Sequence, residues 1–188
     1  MRWVFSMTTI EAERTKYRKM WEFPQYRKNA PGERLVDDCI ARLKLKPCSL
    51  IDFGCGTGRA AKAFQDRGFD VFGIDIADNC LDPGVEIPLS ICSLWESIIF
   101  RADAGFCTDV MEHIPTEHVD AVLSNIARSV KVCYFQIATF KDGMGALIGD
   151  TLHLTVKPAK WWEERLSQHF ASVDTERTNG GLIGVCHS

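Results

Sequence analysis

Two hydrophobic periods alternate along this chain. Short, mostly apolar runs that suit strands occur at Ser49–Phe53, 70–76, 87–92, 104–108 and 131–138, and two more follow Ala171, the last at 182–186. Between them apolar residues recur every three to four positions. Val36, Cys39, Ile40 and Leu43 share one helical face, as do Val119, Val122, Leu123 and Ile126, and Trp162, Leu166 and Phe170. Helices are therefore expected from Pro31 to Pro47, over an alanine-rich 59–67 capped by Gly68, and over 115–130 and 158–170. An earlier polar helix over 8–22 carries Tyr17 and Trp21 and breaks at Phe23-Pro24. Strands alternating with helices predict an α/β fold, a largely parallel sheet with helices on both faces. Ligands in such sheets sit beyond the carboxyl ends of the strands.

The first strand runs into Asp52-Phe53-Gly54-Cys55-Gly56-Thr57-Gly58. Alternate glycines permit positive φ and close approach of a ligand to the backbone, and the helix after them offers free N–H groups. The spacing differs from the dinucleotide fingerprint G-x-G-x-x-G. An acid ahead of the glycines would repel a pyrophosphate but suits a ligand carrying an ammonium and a sulfonium. Asp75 ends the second strand, where a carboxylate can accept both hydroxyls of a ribose, and Ile76 can pack on an adenine face.

This glycine segment resembles motif I of the class I S-adenosylmethionine-dependent methyltransferases. The stretch Thr108-Asp109-Val110-Met111-Glu112-His113-Ile114-Pro115 resembles the segment after the fourth strand in the group that includes ubiquinone-biosynthesis O-methyltransferases. The resemblance covers about residues 30–170. It implies a Rossmann-like, seven-stranded, mostly parallel sheet with its last strand antiparallel, and S-adenosylmethionine as methyl donor. It assigns the donor to Asp52, Gly54, Cys55, Gly56, Thr57, Gly58, Asp75 and Ile76, to Ser93 and Leu94 beside the adenine, and to Asp109, Val110 and Met111. Residues 1–30 would form a helical segment capping the donor pocket, with Trp21 closing it and Arg27 meeting the donor carboxylate bidentately; residues 31–188 would form one methyltransferase domain.

Methyl transfer is in-line displacement at an electron-poor carbon, so the protein mainly positions the acceptor. Where the acceptor must lose a proton, histidine suits neutral pH, and His113 and His153 are the candidate catalytic bases. The preferred reading is O-methylation of a small-molecule acceptor. One alternative is a protein that binds donor or product without turnover. Another is metal-assisted 2′-O-methylation of an RNA terminus: in a minority of relatives the positions matching Asp109, Glu112 and His113, joined by a second histidine such as His153, bind a divalent metal. No residue is assigned to a metal in the preferred reading. No Asn-Pro-Pro-Tyr-type sequence follows the fourth strand, which argues against methylation of DNA base amines. Residues 141–157, glycine-containing, could form a mobile lid.

Composition narrows the partners. At 188 residues the chain fits one core, and its net charge of −3 advertises neither a nucleic-acid nor an anionic-membrane surface. No apolar run is long enough to span a bilayer. The start, residues 1–6, lacks a signal-peptide core, so the expectation is cytoplasmic, with Met7 an alternative first residue. The eight cysteines form no CxxC pair; the spacing predicts buried free thiols rather than a structural zinc site.

Overall fold

The sheet orders its strands β3-β2-β1-β4-β5-β7-β6. They are β1 (Ser49–Phe53), β2 (Asp70–Asp75), β3 (Leu89–Ile91), β4 (Ala102–Thr108), β5 (Val130–Ala138), β6 (Ser172–Thr178) and β7 (Gly181–His187). Every pairing from β3 to β5 is parallel, and β7 runs antiparallel to both β5 and β6. The expected seven-stranded sheet with an antiparallel last strand is the one observed. This computed structural model describes the backbone of residues 5–188 and the side chains from Ile10 onward. The first four residues of the 1–30 segment, and the reading of the chain start that rests on them, lie outside the described residues.

Helices α1 (Phe5–Met20), α2 (Pro24–Lys28), α3 (Val36–Leu43), α4 (Arg59–Gln65), α5 (Val119–Ser129) and α6 (Ala159–His169) complete the fold. On one face of the sheet, Leu123 and Ile126 of α5 and Trp162 and Leu166 of α6 pack on Phe53, Ile74, Cys107 and Phe135. On the other, Val36 and Cys39 of α3 and Ala61 and Phe64 of α4 pack on Leu50, Val71, Phe106 and Tyr134. The 3.6-residue faces legible in the sequence are those that meet the sheet.

Local departures have local causes. The first helix ends ahead of Phe23-Pro24, as expected, and Pro24 also opens α2 from its first position, where its missing N–H costs nothing. A 3-10 turn, Pro31–Leu35, precedes α3, and another, Thr116–His118, precedes α5, so both helices start at the first residue of their apolar pattern, later than the prolines Pro31 and Pro115 suggest. Strand β6 is exposed and charged along most of its length, as an edge strand tolerates, which is why its hydrophobic signal is weak. Among the described residues no helix is long and apolar enough to cross a membrane.

The sheet order reverses between β1 and β4, which lead to opposite sides. Their carboxyl ends therefore carry the glycine turn and the Asp109 segment side by side. Leu123 is fully buried at the α5–sheet contact. Leu123→Ala should lower unfolding free energy by about 2–5 kcal/mol, read as a reduced urea midpoint at unchanged slope.

Candidate functional site

After β1 the chain turns through Gly54, Gly56 and Gly58, all at positive φ. The Gly54 and Cys55 amides donate to the Ile74 carbonyl, at 2.7 and 3.1 Å, tying the turn to β2. A Cβ on Gly54 would lie 2.5 Å from Val110, so glycine there lets the segment after β4 close over the turn. Asp75 locks the arrangement: one carboxylate oxygen accepts the Gly56 amide and the other the Ala77 amide, each at 2.9 Å. Asp52 is 3% exposed, and its Oδ2 has no hydrogen-bond partner.

Both acids are poorly compensated. Burial, then the charge of Asp75, raises Asp52 to about 7, with the Ala61 amide pulling the other way. Burial raises Asp75 to about 6 despite its backbone donors. Burial raises Asp109 and Glu112 as well, and the charge of Asp109 pushes Glu112 further.

The second wall follows β4. Asp109 adopts φ of 58°, rare outside glycine, while its amide donates to the Gln136 carbonyl at 3.0 Å. A 3-10 turn, Met111–His113, then buries Met111 and Glu112 completely. Glu112 Oε1 accepts the Ala138 amide at 2.9 Å, whereas Oε2 is buried without a partner. His113 Nδ1 shares a 2.7 Å hydrogen bond with the Tyr17 hydroxyl, and desolvation, then nearby His153, lowers its pKa to about 3. In the neutral tautomer protonated at Nε2, Nδ1 accepts from the Tyr17 hydroxyl. His153 Nδ1 lies 2.7 Å from the Phe140 carbonyl, which can only accept, so Nδ1 carries a proton. The two rings meet edge to face, centroids 4.7 Å apart.

The third wall is α1 and α2. Trp21 lies over the glycine turn, where a Cβ on Gly56 would meet its ring at 3.0 Å, and it packs on Tyr26 with centroids 4.7 Å apart. Two adjoining clefts result, of about 610 and 530 Å³, sharing Trp21, Tyr26, Gly54 and Asp109. The larger receives Asp75, Ile76, Ser93, Leu94, Val110 and His113; the smaller receives Asp52, Cys55, Gly56 and Thr57. Among the described residues neither lining includes a lysine or an arginine.

Four expected site residues lie elsewhere. Arg27 does not face the clefts: its guanidinium donates to the carbonyls of Trp21, Asn79, Cys80 and Leu81 and pairs with Asp82. All three guanidinium nitrogens are engaged, Nη1 and Nη2 fastening α2 to the loop after β2, which corrects the expectation of a carboxylate clamp. Met111 is core rather than lining, because the 3-10 turn points it into the sheet. Gly58 caps α4, packed under Leu81 and Val85. His153 stands behind His113 rather than in either lining. Conversely, Glu13 and Gly32 line the clefts without having been singled out. Glu13 reads as one more charge on a polar helix. Gly32 is explained by contact alone: a Cβ there would meet Thr108 Oγ1 at 2.8 Å.

The sequence model of a methyltransferase domain family matches residues 20–178. A ubiquinone biosynthesis O-methyltransferase from Dechloromonas aromatica (strain RCB) is 29% identical over 93 residues, covering 44% of this chain and 39% of that relative's length. Among solved structures, a magnesium protoporphyrin IX methyltransferase from Synechocystis PCC 6803 with bound S-adenosylmethionine superposes with a TM-score of 0.65 at 18% identity, over 100% of both chains. A Burkholderia thailandensis 1,6-didemethyltoxoflavin-N1-methyltransferase, with bound substrate and S-adenosylhomocysteine, gives 0.67 at 16% identity over 96% of this chain and 86% of that one. At these identities the likeness is one of fold.

The buried acids make stability pH-dependent. Between about pH 4 and 7 the folded chain keeps the Asp52 proton that the unfolded chain has released, so stability falls as pH rises, at up to about 1.4 kcal/mol per unit. Asp52→Asn should flatten that slope in unfolding titrations without ligand and raise stability at pH 7.

Proposed function

The chain belongs to the methyltransferase domain family, and we propose that it transfers the methyl group of S-adenosylmethionine to an oxygen of a small-molecule acceptor. One observation carries the donor assignment: two buried acids, Asp52 and Asp75, flank a turn bare of side chains in clefts whose described linings hold no basic residue. A ligand with an ammonium and a sulfonium supplies the missing positive charge. The remaining lone pairs of Asp75 suit a ribose diol, with Ile76, Ser93 and Leu94 around the adenine. Gly54, Gly56 and Thr57 border the methionine end, under Trp21.

In the reaction the acceptor oxygen attacks the methyl carbon, the carbon–sulfur bond breaks, and its electron pair returns to sulfur, leaving neutral S-adenosylhomocysteine. The acceptor proton must leave as the oxygen–carbon bond forms. Tyr17 and His113 both border the larger cleft and are hydrogen-bonded to each other, so the acceptor proton can pass to the Tyr17 oxygen as the Tyr17 proton passes to His113 Nδ1, with His153 packed edge-on against that ring. The O-methyltransferase relative, matched over 39% of its length, supports oxygen as acceptor.

A second reading has one observation in its favour. One ligand atom from each of Asp109, Glu112, His113 and His153 lies within 4.8 Å of the others, and the buried Glu112 Oε2 is without a partner. Carboxylates and imidazoles fit a divalent ion such as magnesium, manganese or zinc, which would bind and polarise a hydroxyl, as at an RNA 3′ terminus. Metal analysis of the purified chain separates the readings: a stoichiometric ion, with transfer abolished by chelator, favours the second.

The first reading predicts that Asp52→Ala and Asp75→Ala each weaken S-adenosylhomocysteine binding by about 10- to 100-fold in calorimetry, the value of a charge-assisted hydrogen bond. Undiminished binding in both would end the donor assignment. His113→Ala should lower kcat by about 100-fold or more with donor binding retained, measured with labelled donor over a panel of phenols, alcohols, carboxylic acids and amines. Tight donor binding with no transfer to any of them would instead make the chain a binding protein.

A further inference from the structure

The fold brings together two cysteines that sequence spacing keeps 25 residues apart. Cys55 sits inside the glycine turn, and Cys80 in the loop after β2. One ligand atom from each, and one from the Asp75 carboxylate, lie within 4.8 Å of one another. Cys80 is fully buried, while Cys55 and Asp75 are each 7% exposed. We propose that Cys55, Cys80 and Asp75 form a binding site for a thiophilic divalent cation, zinc or cadmium, whose occupation excludes the methyl donor.

The backbone around all three ligands is held. The Cys55 amide donates to the Ile74 carbonyl at 3.1 Å, and the Cys80 carbonyl accepts from Arg27 at 2.9 Å. The Gly56 and Ala77 amides fix the Asp75 carboxylate while leaving it further lone pairs. Outer contacts of this kind orient metal ligands. Two thiolates with one carboxylate select zinc or cadmium over the oxygen-seeking magnesium and calcium. Two sulfurs bound tetrahedrally to zinc at about 2.3 Å stand about 3.8 Å apart, so modest rotations of the two side chains suffice. A route in exists, since Asp75 lines the larger cleft and Cys55 the smaller. On binding, two S–H bonds break, two sulfur–metal bonds form, and two protons pass to the buffer; nothing is oxidised or reduced.

The competition rests on the donor reading given above: the cation would take the Asp75 lone pairs that the ribose diol needs. The Asp109–His113 group contains no sulfur, so a sulfur-specific signal separates the two places.

The test uses the full, reduced chain. Cadmium is titrated alone and followed by thiolate-to-cadmium charge-transfer absorption; S-adenosylhomocysteine is titrated alone by calorimetry; then each is titrated in the presence of the other. The expected result is one cadmium per chain with the band present. Cadmium at ten times its own dissociation constant should weaken S-adenosylhomocysteine about tenfold, by mass action, and magnesium should not. Cys80→Ser and Cys80→Ala should lose the band while still binding S-adenosylhomocysteine, which also reports that they fold. A band that persists in both variants, or no band in the parent chain, overturns the site. Should neither variant fold, suppression of the parent chain's band by prior S-adenosylhomocysteine decides: an undiminished band overturns the exclusion. Cadmium binding through Cys80 with no affinity for S-adenosylhomocysteine alone would leave the cation site standing and remove the donor reading.

Discussion

The join between the glycine turn and β2 is the constraint on which the site depends. A turn of three positive-φ glycines has few side chains to hold it, and here its shape comes from its neighbours. Ile74 receives its first two amides, Asp75 receives the third glycine-turn donor at Gly56, and Val110 closes over Gly54. Because Asp75 also takes the Ala77 amide, it directs the chain leaving β2 around the back of the turn. Both clefts are shaped by that path, since Asp75 and Ile76 border one and Cys55 to Thr57 the other.

The same carboxylate explains why the site is costly to maintain. Asp52 and Asp75 are buried close enough for one charge to raise the pKa of the other, and no basic side chain in the described linings offsets them. A buried, unpaired acid opposes folding. Arg27 is the nearby cation that could have neutralised them, yet it binds the carbonyls of residues 79–81 and Asp82, while Arg59 takes the other Asp82 oxygen. The positive charge goes into fastening the cover, and the negative charge of the clefts stays available to a cationic ligand. Such a division sacrifices stability for function at one place in the fold.

What the sequence disclosed follows from whether the signal was local. Strand β1 and the helical faces at 119–126 and 162–166 were legible because periodicity is a local record of burial. Asp52, the glycines and Asp75 were legible because a turn that needs positive φ restricts residue type within a few positions. Arg27 was misplaced because its partners at 79–82 are set by the path of a loop some fifty residues away, which no spacing encodes. Met111 was misplaced because the segment after β4 forms a 3-10 turn, and the rotation of that turn decides which of Met111, Glu112 and His113 meets the sheet. Gly32 gave no signal: it lies in a 3-10 turn, and its neighbour Thr108 is the last residue of β4, far along the chain.

The cover and the acceptor side are mechanically one unit. Along a single helix and the turn after it, Arg14 donates to the Ile76 carbonyl, Lys16 to the Thr151 carbonyl, Tyr17 bonds His113, and Arg18 forks onto Asp78. Trp21 then lies on Gly56. Lifting α1 far enough to uncover the glycine turn therefore breaks the Tyr17–His113 bond and the Lys16–Thr151 bond. The exposed Arg18–Asp78 pair contributes little to holding the cover; the half-enclosed contacts of Tyr17 and Trp21 matter more, and both require the clefts to be in their closed form. A ligand that packs under Trp21 would strengthen the placement of Tyr17 against His113 through the rigid turn of helix between them. The glycine turn and the Asp109–His113 segment are thus covered from one helix and the turn after it, through Trp21 and Tyr17, four residues apart.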